Sequence, residues 1–227
     1  MKILITAGGT SEPIDDVRKI TNTSTGSLGL AIGNAFLENH RDVIEKIYYL
    51  HGEKAAYPVD ELVTPVKIGG TMDLLWEMER ILESEKIDAV VHAMAVSDYM
   101  VDEVTTKRAL LNGERSPFVS DTKISSKIDD LVICLTRTPK VINTIKKISP
   151  DTRLVGFKLL SSVPHEELMR VAQGVMDAND CEFVLANDLS EIGDGKHKGY
   201  LLHRDGSYDT METKQEIAEM IAKRLTE

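Results

Sequence analysis

The sequence predicts an α/β fold, with a doubly wound, Rossmann-like and mostly parallel sheet flanked by helices. Short β-branched and aliphatic runs alternate with amphipathic helical patterns along most of the chain. A long polar segment, about 99–126, interrupts this alternation, and Asp205-Gly206 near the C-terminus is typical of a hairpin turn. Because 227 residues are enough for one core, we expect a single domain covering residues 1–227.

The first half of the chain predicts four strands and two helices. The strand candidates are apolar runs at 2–6, 43–50, 62–68 and 87–95. One helix is expected from Gly26 or Ser27 to Asn39, because apolar residues recur there at helical spacing. The second is expected from Thr71 to Glu83, with Thr71 as its cap.

The alternation resumes after the polar segment. We expect strands at 131–135, 154–160 and 183–186, helices at 139–148 and 165–176, a hairpin around 199–208, and a closing helix at 213–225. In doubly wound sheets, ligands bind beyond the carboxyl ends of the strands. The loops expected to carry function therefore follow Thr6, Ala95, Leu135, Phe157 and Ala186.

Composition excludes several classes of function. The net charge of −10 argues against non-specific nucleic-acid binding, and no apolar run is long enough to cross a membrane. The N-terminus lacks the pattern of a signal peptide, so we expect a cytoplasmic protein with neither nucleic-acid nor membrane partners. Cys134 and Cys181 lie in apolar runs and are interpreted as buried, reduced thiols. No Cys/His spacing fits zinc, and the sequence identifies no metal ligands.

The segment from Gly8 to Gly29 is the first candidate for chemistry. It contains four glycines and several hydroxyls, but it matches neither the G-x-G-x-x-G fingerprint nor a Walker loop. Backbone amides of glycines and of a helix N-terminus suit anionic oxygens. The alternative, that these glycines only make turns, stays open.

Three further segments each have a functional and a structural interpretation. Asp98, just beyond a buried strand, can accept from a nucleobase or ribose, or can cap a turn. The lysines of 121–127 can close over phosphates, or can belong to a solvated charge run. Phe157-Lys158 can stack a base and hold a phosphate, or can be a core aromatic with a surface lysine. His92, inside an apolar strand, is interpreted as a core residue.

Taken together and in this order, the segments resemble the phosphopantothenoylcysteine synthetase (phosphopantothenate–cysteine ligase) family of coenzyme A biosynthesis. The resemblance covers nearly the whole length and looks like a stand-alone form, without the flavin-dependent decarboxylase half. It is carried by Ile5 to Asp15, Val17-Arg18, Ile20 to Gly26, Ala95 to Tyr99, Lys123-Ile124, Val155 to Phe157 and Ala186 to Asp188.

The resemblance implies a reaction. CTP activates the carboxylate of 4′-phosphopantothenate as an acyl cytidylate with release of pyrophosphate, and L-cysteine then displaces CMP to give 4′-phosphopantothenoylcysteine. It also implies Mg²⁺ with the nucleotide, no flavin, a homodimer with the site near the subunit interface, and a separate phosphopantothenoylcysteine decarboxylase as a candidate partner. The alternatives are the same ligation with ATP, an NAD(P)-type dinucleotide-binding reductase, or a regulatory binding protein that has lost activity.

The resemblance also assigns residues. Asn22 and Lys123 are the implied catalytic residues, and Asn22 and Asn187 the implied substrate-binding residues. The implied nucleotide-binding residues are Gly8, Gly9, Thr10, Ser24, Gly26, Met94, Asp98, Lys123, Thr138, Pro139, Phe157 and Lys158.

Two departures from the fused bacterial pattern bear on the nucleotide. The Lys-x-Lys-Lys run of that pattern is replaced by Lys123-Ile124-Ser125-Ser126, and no lysine lies between Val175 and Asn179. Lys158 resembles the stand-alone eukaryotic form, which uses ATP. We nevertheless favour CTP, because Asp98 and the first segment fit the bacterial pattern.

Overall fold

The computed structural model describes residues 1–114, 123–193 and 195–227. The strands are β1 (Lys2–Ala7), β2 (Ser11–Pro13), β3 (Lys19–Thr21), β4 (Lys46–Gly52), β5 (Val63–Ile68), β6 (Ala89–His92), β7 (Tyr99–Thr106), β8 (Leu131–Arg137), β9 (Arg153–Leu160), β10 (Phe183–Asp188), β11 (Ile192–Gly193), β12 (Lys196–His197), β13 (Gly199–His203) and β14 (Tyr208–Met211). The helices are α1 (Ser27–Asn39), α2 (Thr71–Ser84), α3 (Lys107–Leu111), α4 (Ile142–Ile148), α5 (His165–Asn179) and α6 (Lys214–Thr226).

Eight strands form the central sheet in the order β14-β13-β10-β9-β6-β1-β4-β5. The six strands from β10 to β5 are parallel, and the C-terminal hairpin β13–β14 adds two antiparallel strands at one edge. The predicted fold class is therefore confirmed. The chain extends the sheet from β1 through β4 to β5 and then returns to the other side of β1 with β6. This reversal places a crevice beyond the carboxyl ends of β1 and β6, where doubly wound sheets bind ligands.

Helices cover both faces of the sheet and bury two apolar layers. Alternate strand residues such as Leu4 and Val90 pack with α2, α4 and α5 on one face. Their neighbours Ile3 and Val91 pack with α1 and α6 on the other. Because central strands are buried on both faces, they appear in the sequence as continuous apolar runs. Within the described ranges, no helix combines the length and apolarity needed to cross a membrane.

The polar segment predicted as a loop over 99–126 is partly regular structure. Tyr99–Thr106 forms β7, which pairs antiparallel with β8 and has an irregular register between Val101 and Glu103. Helix α3 follows β7 directly. The apolar run at 131–135 is a strand, as predicted, but it belongs to this separate ribbon and not to the central sheet. Residues 115–122, including Asp121 and Thr122, lie outside the described residues.

Three smaller expectations are also corrected. The segment from Gly8 to Gly29 contains a short antiparallel hairpin, β2–β3, in which Ser11 pairs with Thr21. Thr71 is the first residue of α2 and not its cap, because its backbone N–H and its hydroxyl both donate to Glu12 Oε1, at 2.9 and 2.7 Å. Cys134 is only partly buried, because it lies on the ribbon.

Cys181 is buried, as expected. Its burial raises the pKa of the thiol to about 12, so the thiol stays protonated at neutral pH.

Candidate functional site

The loops that follow β1 and β6 are joined to each other at the reversal of the sheet. Gly9 and Ala95 form a parallel bridge, in which Thr10 N–H donates to Ala95 O at 3.1 Å and Ala95 N–H donates to Gly8 O at 2.8 Å. The side-chain amide of Asn22 also donates to Ala95 O, at 2.9 Å. The predicted segments Gly8–Gly29 and Ala95–Tyr99, far apart in sequence, therefore form one structural unit.

Two of the predicted glycines are required by packing of the chain on itself. Gly8 and Gly26 have positive φ, +86° and +74°, and a Cβ at either would lie 2.8 Å from the Cβ of Ala55. A Cβ on Gly26 would also lie 2.9 Å from the backbone nitrogen of Gly8. L-residues with side chains rarely adopt this conformation. The turn interpretation thus accounts for both glycines without requiring a phosphate.

A buried hydroxyl network lies beneath the joined loops. Thr10 Oγ1 donates to Ser97 Oγ at 2.9 Å and accepts from Ser97 N–H at 2.8 Å. Thr138 Oγ1 donates to Ser97 O at 2.5 Å, and Thr138 N–H donates to Asp98 O at 3.1 Å. Thr10 and Thr138, both predicted to contact nucleotide, are buried, and both hydroxyls have partners inside the protein. In this structure they position the loops and Asp98.

A polar cleft of about 800 Å³ opens above the first loop. We call it the hydroxyl cleft, and it is lined by Gly9, Ser11, Val17, Lys19, Thr21, Asn22, Thr23, Ser24, Thr25, Gly52, Glu53, Lys54 and Ala55. It brings together three predicted site residues, Gly9, Asn22 and Ser24. Lys54 also lines it, in the loop after β4, and no motif in the sequence pointed to this lysine.

A second cavity, of about 410 Å³, lies between the ends of β6 and β9 and the helices α4 and α5. We call it the strand-end cavity, and it is lined by His92, Met94, Val96, Ser97, Asp98, Pro139, Lys140, Val141, Ile142, Asn143, Phe157, Lys158, Val171, Gly174, Val175, Ala178 and Asn179. Five predicted nucleotide-binding residues, which come from three separate segments, share this wall: Met94, Asp98, Pro139, Phe157 and Lys158.

Asp98 is paired at the mouth of the strand-end cavity. Lys140 Nζ donates to Asp98 Oδ1 at 2.5 Å, and both side chains are about two-thirds exposed. An ion pair this exposed contributes little to stability because water and salt screen it. A ligand that offers a hydroxyl to Asp98 or an anion to Lys140 can therefore replace it at small cost.

Lys123 is held near the first loop through its neighbour Ile124. Ile124 N–H donates to Asp15 Oδ2 at 3.0 Å, and the Arg18 guanidinium bridges Asp15 and Ile124 O, at 2.9 Å from the latter. The Arg18 guanidinium, followed by the backbone N–H groups of Ile124 and Val17, holds the pKa of the Asp15 carboxyl well below its usual range, although burial opposes this. Lys123 itself is exposed.

Asn187 does not face either cavity. It is 5% exposed, and its amide donates to Lys198 O at 2.6 Å, so it connects β10 to the start of the C-terminal hairpin. The next residue, Asp188, accepts from Ser190 and from the N–H groups of Val163 and Ser162, which lowers the pKa of its carboxyl below the ordinary value. A substrate contact of Asn187 would require a change in these bonds.

His92 is buried, as predicted, but it is also one of the residues that line the strand-end cavity. Its Nδ1 lies 3.0 Å from the hydroxyl of Thr6 on the neighbouring strand β1. Burial lowers the pKa of His92 to about 4, so the ring is neutral at pH 7. A periodic apolar run cannot reveal which end of a buried imidazole meets a cavity, so the sequence did not identify this position as part of a site.

Over the described parts of the chain, no group of three or more His, Cys, Asp or Glu side chains is arranged to hold a metal ion. Mg²⁺ is commonly bound through substrate phosphates with few protein ligands.

Comparison with known proteins places the chain in a family. All of residues 1–227 match the family model described as the DNA/pantothenate metabolism flavoprotein C-terminal domain. The chain belongs to this family. The resemblance found in the ordered sequence segments is thereby confirmed. A curated relative, the coenzyme A biosynthesis bifunctional protein CoaBC of Thermococcus kodakarensis, is 31% identical over 221 residues, which is 97% of this chain and 49% of the relative. The chain thus spans about half the length of the curated relatives it matches.

Solved structures agree with the fold. The DNA/pantothenate metabolism flavoprotein from Streptococcus pneumoniae superimposes with a TM-score of 0.88 at 34% identity, over 100% of this chain and 98% of that one. A Cab2 variant in complex with phosphopantothenate-cysteine gives a TM-score of 0.72 at 18% identity, over 99% of this chain and 85% of that one. At that identity the likeness shows a shared fold.

Proposed function

We propose that this protein ligates 4′-phosphopantothenate to L-cysteine, using a nucleoside triphosphate to activate the carboxylate. The observation that carries the proposal is the Asn22–Ala95 hydrogen bond, which fixes the wall of the hydroxyl cleft against the segment that leads into the strand-end cavity. Family membership and the pathway named for its curated relatives support the same reaction. A protein of the same fold binds phosphopantothenate-cysteine.

The two cavities suit the two substrates of the first step, a nucleotide and a phosphorylated acid. The strand-end cavity has apolar walls and the Phe157 ring for a base, with Lys158 and Lys140 at hand for charge. The hydroxyl cleft offers hydroxyls and the cation of Lys54 to a phosphorylated, polar acid. Binding both reactants side by side converts a bimolecular attack into a nearly unimolecular one.

The proposed reaction has two steps. A carboxylate oxygen of the acid attacks the α-phosphorus, a P–O bond to the β-phosphate breaks, and pyrophosphate leaves with that electron pair. The cysteine amine then attacks the acyl carbon, the bond to the nucleoside monophosphate breaks, and the amine gives up a proton. No nucleophilic side chain of the protein takes part, so catalysis rests on positioning and electrostatics.

Asn22 and Lys123 have different roles in this scheme. Asn22 uses one amide hydrogen on Ala95 O, which orients the remaining hydrogen and the amide oxygen at the wall of the hydroxyl cleft. A neutral donor there stabilises the anionic acyl intermediate without competing as a base. Lys123, exposed and placed by the Asp15–Ile124 bond, stabilises the charge that develops on the triphosphate during transfer.

We further propose the identity of the nucleotide, the cellular location and the oligomeric state. The nucleotide is CTP, with ATP as the alternative, and it carries Mg²⁺. The protein acts in the cytoplasm as a homodimer alongside a separate decarboxylase. The β7–β8 ribbon supports the dimer, because it presents exposed apolar side chains at Tyr99 and Leu135. Sedimentation at equilibrium tests the dimer: a single species of twice the 25.2 kDa chain mass is expected, and a monomer at micromolar concentration would exclude it.

Pyrophosphate release tests the proposal. The protein is incubated with 4′-phosphopantothenate, Mg²⁺ and either CTP or ATP, with and without cysteine. We expect sustained release that needs the acid and cysteine, and is faster with CTP. Pyrophosphate release at the same rate with and without 4′-phosphopantothenate would contradict the proposal. Faster pyrophosphate release with ATP than with CTP would support the ligase reaction and identify ATP as the nucleotide.

A further inference from the structure

We propose that Lys214 is a positioning residue for the hydroxyl cleft, where it holds the turn 24–26 in the shape that receives a phosphate group of a substrate. Lys214 is the first residue of α6 and does not line the cleft itself. It acts through Ser27, the first residue of α1. The inference rests on the proposed function for the identity of the phosphate-bearing substrates, and it adds a residue to which no sequence motif pointed.

The contact between Lys214 and Ser27 joins the beginnings of two helices that are 187 positions apart in sequence. Lys214 Nζ donates to Ser27 Oγ at 2.8 Å. The beginning of α6 does not depend on this contact, because Thr213 caps the helix by accepting from Glu216 N–H at 3.2 Å. The two helices do not need it for packing either, because their apolar faces are buried together in one layer of the core. The side chain of Lys214 is therefore free to support the loop that precedes α1.

Ser27 connects Lys214 to the wall of the hydroxyl cleft. Its hydroxyl also accepts from Thr25 Oγ1 at 3.1 Å, and its N–H donates to Thr25 Oγ1 at 3.4 Å. Thr25 and its neighbour Ser24 line the cleft. Gly26, between Thr25 and Ser27, gives α1 no side-chain cap. The chain of bonds from Lys214 through Ser27 to Thr25 therefore fixes the side-chain hydroxyls at this corner of the cleft.

The charge of Lys214 lies where an anion, and not a cation, is favoured. The N-termini of α1 and α6 carry partial positive charge, and the ammonium of Lys214 lies at both. The first turn of α1 contains no acidic residue. The first-turn carboxylate of α6, on Glu216, accepts from Glu212 N–H at 2.7 Å, and no carboxylate of the described chain forms an ion pair with Lys214. A phosphate group in the cleft would offset this accumulation of positive charge.

The imidazole of His197 lies close enough to Lys214 to respond to its charge. Burial, and after it the charge of Lys214, lowers the pKa of His197 below its ordinary value. The ring is therefore neutral at pH 7 and adds no second cation. The charge behind the turn 24–26 at neutral pH is thus that of Lys214, and a substitution of this one residue removes it.

Three substitutions separate positioning from simple support of the fold. Lys214→Met removes the charge and the donor, Ser27→Ala removes the acceptor, and Lys214→Arg keeps a cation that can donate to Ser27 Oγ. Lys223→Met is the control, because Lys223 lies at the other end of α6 and pairs with Glu227 at the surface, at 3.7 Å. For each variant we measure Tm, and KM and kcat for pyrophosphate release with the nucleotide and 4′-phosphopantothenate varied in turn.

We expect Lys214→Met to raise one KM about tenfold, the scale of a charge-assisted hydrogen bond, and to leave kcat within about twofold of wild type. The substrate whose KM rises is the one whose phosphate group occupies the turn, so the two titrations distinguish the triphosphate from the 4′-phosphate of the acid. Lys214→Arg should keep that KM within about threefold of wild type, and Lys223→Met should leave both KM values unchanged. A lower Tm in Lys214→Met with both KM values unchanged would show that the contact only supports the fold, and would overturn the proposal.

A double-mutant cycle tests whether Lys214 acts through Ser27. If it does, Ser27→Ala should raise the same KM, and the double variant should have a KM close to that of Lys214→Met alone, because both changes break the same connection. If the two single effects multiply in the double variant, Lys214 acts independently of Ser27, and the positioning role is wrong.

The positioning role can also be tested without turnover. Calorimetry compares the affinities of the wild-type protein and of Lys214→Met for inorganic pyrophosphate and for 4′-phosphopantothenate. Binding of one of these anions about tenfold more weakly by Lys214→Met would support the role even if the proposed ligation failed. Equal affinities of the two proteins for both anions, in a wild type that ligates normally, would exclude the role and leave the proposed function standing.

Discussion

The side-chain amide of Asn22 donates to the backbone carbonyl of Ala95 across 2.9 Å, and so joins the loop after the first strand of the sheet to the loop after β6. These residues are 73 positions apart in sequence. The bond lies at the reversal of strand order, where the hydroxyl cleft begins. The Asn22 amide thus makes a hydrogen bond that joins two loops, and Asn22 also lines the hydroxyl cleft.

Replacing Asn22 by Asp separates the two half-reactions. The carboxylate cannot donate to Ala95 O and places negative charge beside the anionic intermediate. We expect one equivalent of pyrophosphate per site and then slow amide formation, with turnover reduced about 100-fold, the scale of losing one transition-state donor. Quenched-flow analysis of both products measures this. As a control, Asn112→Asp makes the same change on the exposed turn after α3 and should leave both steps unchanged. If Asn22→Asp formed the amide at the wild-type rate, Asn22 would have no role in the mechanism.

Replacing Lys123 by Gln should stop the first half-reaction. The lysine charge is proposed to stabilise the triphosphate during transfer, so its loss should reduce pyrophosphate release about 100-fold or more. Lys127→Gln, four positions along the same exposed segment, is the control and should retain nearly full activity. Equal rates for the two variants would show that the segment contributes only general charge.

Asp15 should make the stability of the protein sensitive to acid. Its folded pKa is depressed below the ordinary 3.8, so the stability it contributes is present at neutral pH and is lost as the pH falls through the folded pKa. Asp15→Asn should lower Tm at pH 7, and the gap from wild type should shrink below about pH 4. Thermal melts from pH 7 to pH 3 measure it.

The neighbouring Asp16 provides a matched control for that experiment, because it is exposed. Asp16→Asn should leave Tm close to wild type across the range. Since Asp15 also holds Ile124, Asp15→Asn should impair pyrophosphate release as well. A pH-independent Tm gap would mean that the folded pKa of Asp15 is not depressed below its unfolded value.

Gly26 should tolerate a methyl group far less well than Gly206. Both have positive φ, +74° and +84°, and incur a similar conformational cost of about 1–2 kcal/mol when changed to Ala. At Gly26 the new Cβ also meets Ala55 and Gly8, adding overpacking of about 1–3 kcal/mol, whereas nothing lies within 4 Å at Gly206. Urea unfolding of the two variants compares these costs. Equal losses of stability would indicate that the loop relaxes freely.

Sequence patterns predicted the central sheet well because its signals are local. Continuous apolar runs such as Ile3 to Ile5 can satisfy burial on both faces only as inner strands. Amphipathic spacing located α1, α2, α5 and α6 to within a few residues. These are properties of a window of about ten residues, which one chain reveals by itself.

The ribbon could not be placed from such windows. The run at 131–135 has the composition of an inner strand, and only its partner β7 shows otherwise. The partner is polar, with Asp102, Glu103 and two threonines, so it lacks a clear strand signal. Pairing between distant segments is decided by tertiary contacts, and a local pattern does not contain that information.

The candidate site shows the same division. Ordered motifs identified Asn22, Phe157 and Asp98, and the structure places all three on cavity walls. Motifs could not distinguish these from Thr10 and Asn187, whose polar groups have partners within the protein. Nor could they identify Lys54 or His92, which reach their cavities only because separate strands end side by side.

The most direct test of the central claim is the stoichiometry of a complete turnover. The wild-type protein is supplied with 4′-phosphopantothenate, L-cysteine, Mg²⁺ and CTP, and the products are quantified by mass spectrometry. The proposed function predicts 4′-phosphopantothenoylcysteine, CMP and pyrophosphate in equal amounts. Formation of CDP and phosphate, or no amide with either CTP or ATP, would contradict it.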